Sequence, residues 1–397
     1  MCLKWKMDNW KVMYIPSVDN NVKSNQPAIS RVLWIYDDNV FFLGDNCIIL
    51  HKLGQCKRFF GPHIEMDINF VNDSYLGKYM DIGRNNPNFS NLTGLPLLDV
   101  DYDRYDEIIC VSTDETALVS VLQQKYPGPE VHPPKFTVYS FSRAVFFKRQ
   151  NLRSPVFPFY EALFKYADGL IDQPYELYIS PDERIWGDRW LEANGIKKNE
   201  QLYVIVDNAS SREKLLRLDA YYNLLIHLLE PEHTKLLIFD ETSMGKEAFY
   251  KELLDKKYFG RLIFSKGLKL REDLCLISSE YVKMVFGPCT GLLHCASGIY
   301  NHLIKNGLVT AAPALIVYTG PWDAYFWWNA SPLVDCLILK KSAGEKVLLT
   351  LNTLRDYEKK DFTDRLDCSD YTADMIAGFI ESKMSILATH HENCDQY

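Results

Sequence analysis

The sequence contains no C-x-x-C pair, although ten cysteines are scattered from Cys2 to Cys394. Neither a zinc ribbon nor a disulfide framework is therefore legible, and a reducing, cytoplasmic compartment is the expectation. No apolar run approaches the roughly 18 residues that span a bilayer. The opening MCLKWKMDNWKVMYIPS interrupts with Lys, Asp and Trp the apolar core that a signal peptide needs. Positive charge is not in excess either. The 44 Lys+Arg against 52 Asp+Glu leave −8, which on average repels a phosphate polymer and argues against a nucleic-acid partner. No G-x-G-x-x-G follows an expected strand and no G-x-x-x-x-G-K-[ST] occurs, so a dinucleotide oxidoreductase and a P-loop enzyme are disfavoured.

What is present is an ordinary globular composition, 47% hydrophobic and 24% charged, over 397 residues. That length exceeds what one core usually organises and predicts two domains. RVLWIY at 31–36, IEMDINF at 64–70, DEIICVS at 106–112 and FTVYSF at 136–141 read as strands, with helical spacing after Asp45 and from Asp114. A Pro-rich stretch over 125–175 marks irregular structure, and the junction falls near Asp172. Beyond it, strands at 202–207, 235–240, 261–264, 282–287 and 314–318 alternate with helices at 182–194, 219–230, 245–257, 271–279 and 291–299. This β-α-β rhythm predicts an α/β protein with parallel sheets and helices on both faces. The expected domains are 1–171, with 1–26 as an extension, and 172–370. A final helix within 371–397, carrying Met375, Ile376, Phe379, Ile380 and Met384, is expected to pack back across them.

In open α/β sheets ligands bind beyond the carboxyl ends of strands, so the chemistry is sought in those loops. After 282–287 come Cys289, Thr290, Gly291 and His294, where amides at a helix start, a hydroxyl and the helix dipole would receive an anion. A capped helix that binds nothing, with His294 in the core, is the plainer alternative. After 202–207, the run Ser210-Ser211-Arg212-Glu213-Lys214 could hold phosphate oxygens and set an ammonium against a departing diphosphate, or simply be a solvated turn. After the first strand, a turn at Gly44 places the Asp45 carboxylate at the mouth of the first sheet, where a general base could stand. Asp99, Asp101 and Asp103 read as a solvated turn and not as an EF-hand, since Arg104 and Cys110 occupy the required Gly and Glu positions. No metal site is assigned. Arg143, Lys148, Arg149 and Arg153, interleaved with Phe146 and Phe147, form a basic aromatic cluster that could dock an anionic glycolipid at a membrane surface or be an ordinary exposed face.

Together these loops resemble glycosyltransferase family 9, which contains the ADP-heptose:lipopolysaccharide heptosyltransferases. The matching segments are Leu43-Gly44-Asp45, Tyr105-Asp106-Glu107-Ile108-Ile109, Ala209-Ser210-Ser211-Arg212-Glu213-Lys214 and Thr290-Gly291-Leu292-Leu293-His294. The resemblance implies a GT-B fold, two Rossmann-like domains with parallel sheets facing a central cleft. It implies inverting, metal-independent and cofactor-free transfer from a nucleotide-diphosphate sugar, with an ADP-sugar favoured, to a hydroxyl of a glycan or lipopolysaccharide-type acceptor. Asp45 would be the base. Ser210, Ser211, Lys214, Glu241, Cys289, Thr290, Gly291 and His294 would hold the donor, and Arg143, Lys148 and Arg149 the acceptor. The family carries Asp where this chain has Cys289, which removes an anionic contact. A nucleotide-sugar binder without turnover is therefore the alternative reading.

Overall fold

The computed structural model describes residues 29–38, 40–112, 114–127, 134–147, 156–240, 244–321 and 324–394. Its contacts divide the chain into two units. The first comprises residues up to Phe42 together with Ile48–Gln173, and the second Leu43–Cys47 together with Pro174 onward. The expected extension 1–26 lies outside the described residues.

In the first unit, short runs pair as a parallel sheet, the central ones almost wholly buried. Its strands are β1 (Arg31–Tyr36), β2 (Glu65–Phe70), β3 (Asn91–Thr93), β4 (Glu107–Val111) and β5 (Thr137–Ser140), in the order β3-β2-β1-β4-β5. Leu33, Ile35, Ile108 and Val138 supply one face of its core, closed by Leu118 and Leu122 of α3. Helix α1 (Leu43–Gln55) is divided between the units, its first turn, Leu43–Cys47, grouping with the second and the rest with the first, and the first unit also contains α2 (Leu76–Gly83), α3 (Glu115–Lys125, with Asp114 as its N-cap) and α4 (Glu161–Asp168). The chain leaves β1 toward β2 on one side and later adds β4 on the other. The sheet therefore changes direction between β1 and β4.

The second unit holds seven strands in the order β12-β11-β10-β9-β6-β7-β8. They are β6 (Gln201–Ile205), β7 (Thr234–Ile238), β8 (Leu262–Phe264), β9 (Val282–Pro288), β10 (Ala314–Thr319), β11 (Val334–Ser342) and β12 (Glu345–Thr350). All pairings are parallel except β11 with β12, a hairpin turned by Ala343 (φ 51°) and Gly344 (φ 92°). Helices α5 (Pro181–Ala193), α6 (Leu218–Leu228), α7 (Lys246–Leu253), α8 (Leu270–Ile277), α9 (Gly291–Lys305), α10 (Ala324–Trp328) and α11 (Ala373–Cys394) complete it. α5 starts where its sequence dictates: Ser180 and Glu183 form a reciprocal capping box and Pro181 takes the first position. α11 lays Ile376 and Ile380 into the core that contains Leu224, Leu225 and Leu228 of α6. These core contacts are with the second unit. Here the sheet changes direction between β6 and β9. No described helix is long and apolar enough to cross a membrane.

Candidate donor site

Two loops flank the point between β6 and β9. Gly287 of β9 allows them to approach: a Cβ there would lie 2.5 Å from the Val206 carbonyl oxygen. The loop after β6 opens with Asp207, whose carboxylate accepts from Lys246 Nζ at 2.5 Å and from the Tyr250 hydroxyl at 2.9 Å, and so anchors α7. Ser210 is exposed. Ser211 caps a 3-10 turn over Arg212–Lys214, its carbonyl accepting from the Lys214 amide at 3.2 Å. That turn directs the Lys214 ammonium to the Cys289 carbonyl at 3.5 Å, a long and chiefly electrostatic contact.

After β9, Thr290 is extended and α9 begins at Gly291 with no side-chain cap. The Thr290 hydroxyl is buried without a hydrogen-bond partner among the described residues. A 15-residue helix thus presents its first amides and its positive dipole end beside an unspent hydroxyl and the Lys214 turn. Gly291 is required by crowding, because a Cβ would fall 2.5 Å from Leu43 Cβ and 2.9 Å from the Gly44 amide nitrogen. Reciprocally, a Cβ on Gly44 would fall 2.6 Å from His294 Cδ2. The first turns of α1 and α9 therefore meet glycine to glycine, and their like dipole ends adjoin. This corrects the sequence reading of Gly44-Asp45. The helix already begins at Leu43, Gly44 is a packing residue and not a turn, and Asp45 is the acid of the helix's first turn. Residues 43–47 are grouped by their contacts with the second unit, so Asp45 stands in the same unit as Lys214.

His294 lies one turn into α9. Its Nδ1 is 2.9 Å from the Tyr175 hydroxyl, and its ring stacks on Trp328 at 4.0 Å between centroids and 2° between planes. Burial, with the Lys214 charge adding to it, depresses the imidazole to about 3, so the ring is neutral near physiological pH. The Trp328 indole N–H donates to Cys289 Sγ at 3.3 Å. Burial raises the Cys289 thiol, Asp45 raises it further, and the Trp328 bond and Lys214 oppose the shift; the group is a neutral thiol.

Asp45, Lys214, Cys289, Thr290, Gly291 and His294 thus come together, with Ser211 at the base of the Lys214 turn. Glu241, Lys148 and Arg149 lie outside the described residues. Arg143 belongs to the first unit, where its guanidinium is bound by the Asp38 carboxylate and donates to the Tyr36 hydroxyl at 3.2 Å. It is a neutralised pair and no free basic docking point, because a carboxylate that is 3% exposed must be matched. Asp99, Asp101 and Asp103 are exposed around short 3-10 turns. Sequence reasoning missed Tyr175 and Trp328, which fix the His294 ring. The adjacent tryptophans Trp327 and Trp328 were the available signal.

No protein-family model and no curated protein sequence matches the chain. Among solved structures, the chain resembles the ADP-heptose LPS heptosyltransferase II of E. coli, with a TM-score of 0.56 at 12% identity over 90% of this chain and 99% of that one. It also resembles a family 9 glycosyltransferase from Veillonella parvula, with a TM-score of 0.53 at 13% identity over 79% and 88%. The shared feature is the fold, GT-B, each unit being Rossmann-like.

Proposed function

We propose that this chain is a glycosyltransferase moving a sugar, heptose or a related hexose, from a nucleoside-diphosphate donor to a hydroxyl of a glycan or lipopolysaccharide-type acceptor. The observation that carries the reading is the uncapped start of α9, with the unpartnered Thr290 hydroxyl and the Lys214 ammonium beside it. Such a constellation suits a diphosphate, since amides, hydroxyl and ammonium all donate. It suits the leaving diphosphate still better, because charge grows there as the anomeric C–O bond breaks. Asp45 would accept the proton of the acceptor hydroxyl as that oxygen bonds to the anomeric carbon, and one such displacement inverts the centre. The donated charge makes a metal ion unnecessary for departure. An ADP-sugar is the favoured donor, by analogy with the E. coli fold relative named for ADP-heptose.

A binder without turnover is the second reading, favoured by the neutral Cys289 thiol. Thermal melting with ADP- and UDP-sugars tests the donor site. At ligand concentrations near 100 Kd, a binding donor stabilises the protein by about 2.7 kcal/mol. Lys214→Ala should lose most of that shift, and equal shifts in both proteins would remove the site. Mass spectrometry of donor and acceptor separates transfer from binding alone.

A further inference from the structure

The second unit holds a cavity of about 590 Å³ at the start of α6, and none of Asp45, Lys214, Cys289, Thr290, Gly291 and His294 lines it. Leu215, Leu216, Leu218 and Phe249 give it apolar walls, and the buried Tyr318 ring and the half-buried Tyr221 ring close its inner end. Leu218 is 57% exposed and Phe249 44%, so apolar surface stays open to solvent at the mouth. A single exposed leucine needs no explanation. Two large apolar side chains bordering one cavity of this volume have the character of a small-molecule site, since such sites run to about 300–1,000 Å³ and are lined chiefly by aliphatic and aromatic groups.

The hydroxyls at the inner end already have partners. The Tyr221 hydroxyl is bonded to that of Tyr250, which donates to Asp207 at 2.9 Å, and the Tyr318 hydroxyl is engaged by the Leu216 backbone. Burial raises both lining phenols well above their ordinary range, so neither carries charge near neutrality. The interior therefore offers ring faces and methyl groups to an occupant. The charges are matched in the same way, with one exception. Lys246 neutralises Asp207, and Arg217 donates to both oxygens of Asp219, at 3.1 Å from Nε and 2.9 Å from the terminal nitrogen. Arg212 is exposed, lines the same cavity, and has no carboxylate partner among the described residues. One unpaired guanidinium thus stands at the edge of an apolar chamber.

We infer that this cavity is a ligand site, separate from the proposed donor site, for an amphipathic organic acid whose aromatic or short alkyl body lies among Leu215, Leu218 and Phe249 and whose carboxylate pairs with Arg212. A planar guanidinium takes a carboxylate through two parallel hydrogen bonds, which fixes the head while the body is withdrawn from water. A cationic head of the same size meets an uncompensated like charge, and a neutral head gains the apolar contact alone. The inference does not rest on the transfer reading above.

Titration calorimetry of the full chain with 2-naphthoate, 2-naphthylmethanol and 2-naphthylmethylammonium, three heads on one body, tests it. The naphthoate should bind once per chain, and the alcohol and the ammonium at least about tenfold more weakly. Arg212→Gln should weaken the naphthoate about tenfold and leave the alcohol unchanged, whereas Leu218→Ser should weaken both alike. Both positions are exposed, so each variant should melt within about 2 °C of the wild type. No saturable naphthoate binding, equal affinity for the three heads, or affinity indifferent to both substitutions overturns the inference. Competitive displacement of the naphthoate by ADP also overturns it, because the cavity would then belong to the donor pocket. Naphthoate binding by a chain that binds no nucleotide sugar would instead sink the donor reading and leave this one standing.

Discussion

At the scale of single residues, environment decides what each titratable group of the second unit can do. His294 cannot carry a proton near neutrality, because its ring is sealed between Trp328 and Tyr175 and faces the Lys214 charge. In the proposed function Asp45 is the group assigned to proton transfer. Asp45→Asn should lower turnover by roughly 10²–10⁴ while leaving the donor-induced melting shift intact, and unchanged transfer rates would remove Asp45 from the mechanism. His294 also makes a pH prediction. Its folded pKa of about 3 lies below the ordinary 6.5, so the unfolded chain binds the proton first on acidification. The associated stability is complete above pH 6.5 and is lost progressively as pH falls toward 3. Between pH 6.5 and 5 the loss is about 2 kcal/mol. Glu107 of β4 acts in the opposite sense: burial lifts it to about 7 from 4.5, so its contribution is full below 4.5 and lost as pH rises through 7. Urea denaturation of wild type and His294→Gln at both pH values separates the two, since the variant should lack the acid loss. Parallel losses in both proteins would show that His294 is not the titrating group.

At the scale of elements, the meeting of the first turns of α1 and α9 is the contact on which the proposed donor site depends. A methyl group at Gly291 meets Leu43 Cβ and the Gly44 backbone, neither of which can yield without moving a helix. Gly291→Ala should therefore cost about 1–3 kcal/mol and abolish the nucleotide-sugar shift. Gly378, exposed within α11 and with nothing near its missing Cβ, is the control: Gly378→Ala should stabilise by about 0.5–1 kcal/mol and leave ligand binding alone. A wild-type shift in Gly291→Ala would separate the helix contact from the site. This contact also marks where the sequence was legible and where it was not. Strands such as β1 and β10 were readable because continuous apolar runs bounded by turns have few other uses. The start of α1 was not, because Phe42 offers no side-chain cap and Gly44 reads as a turn until His294 is seen filling the space a Cβ would need. The β11–β12 hairpin was missed for a related reason. Its two-residue turn needs two positive φ angles, and Ala343-Gly344 supplies them without the Asn-Gly signature. α9 runs to Lys305, past the expected end at 299, because Leu303 still buries on the same face. The loops of the proposed donor site follow strands and could be sought there, but the Tyr175–His294–Trp328 stack joins residues 119 and 34 positions apart, and no local pattern encodes that.

At the scale of the molecule, one architectural rule is used twice. Each sheet changes direction once, between β1 and β4 or between β6 and β9, and each opening collects the residues that follow its strands. Among the described residues, the first opening holds Asp37 beside Ser112 and the Asp38–Arg143 pair, and the second an ammonium and an uncapped helix start. In a chain of net charge −8, the second is where the proposed diphosphate would find local attraction against the average field. This predicts how protection should be distributed when ligand is added. Ligand binding to the native state suppresses local opening where the ligand touches, and suppresses it elsewhere only through shared cooperative units. In hydrogen–deuterium exchange, a saturating nucleotide sugar should slow amides in 207–214 and 289–294. It should also slow 43–47, the segment that carries Asp45 and groups with the second unit. The strands β1, β2 and β4 should exchange as before. Protection confined to the first unit would place the donor elsewhere, and protection of 207–214 and 289–294 without 43–47 would detach Asp45 from the donor even if the diphosphate assignment held.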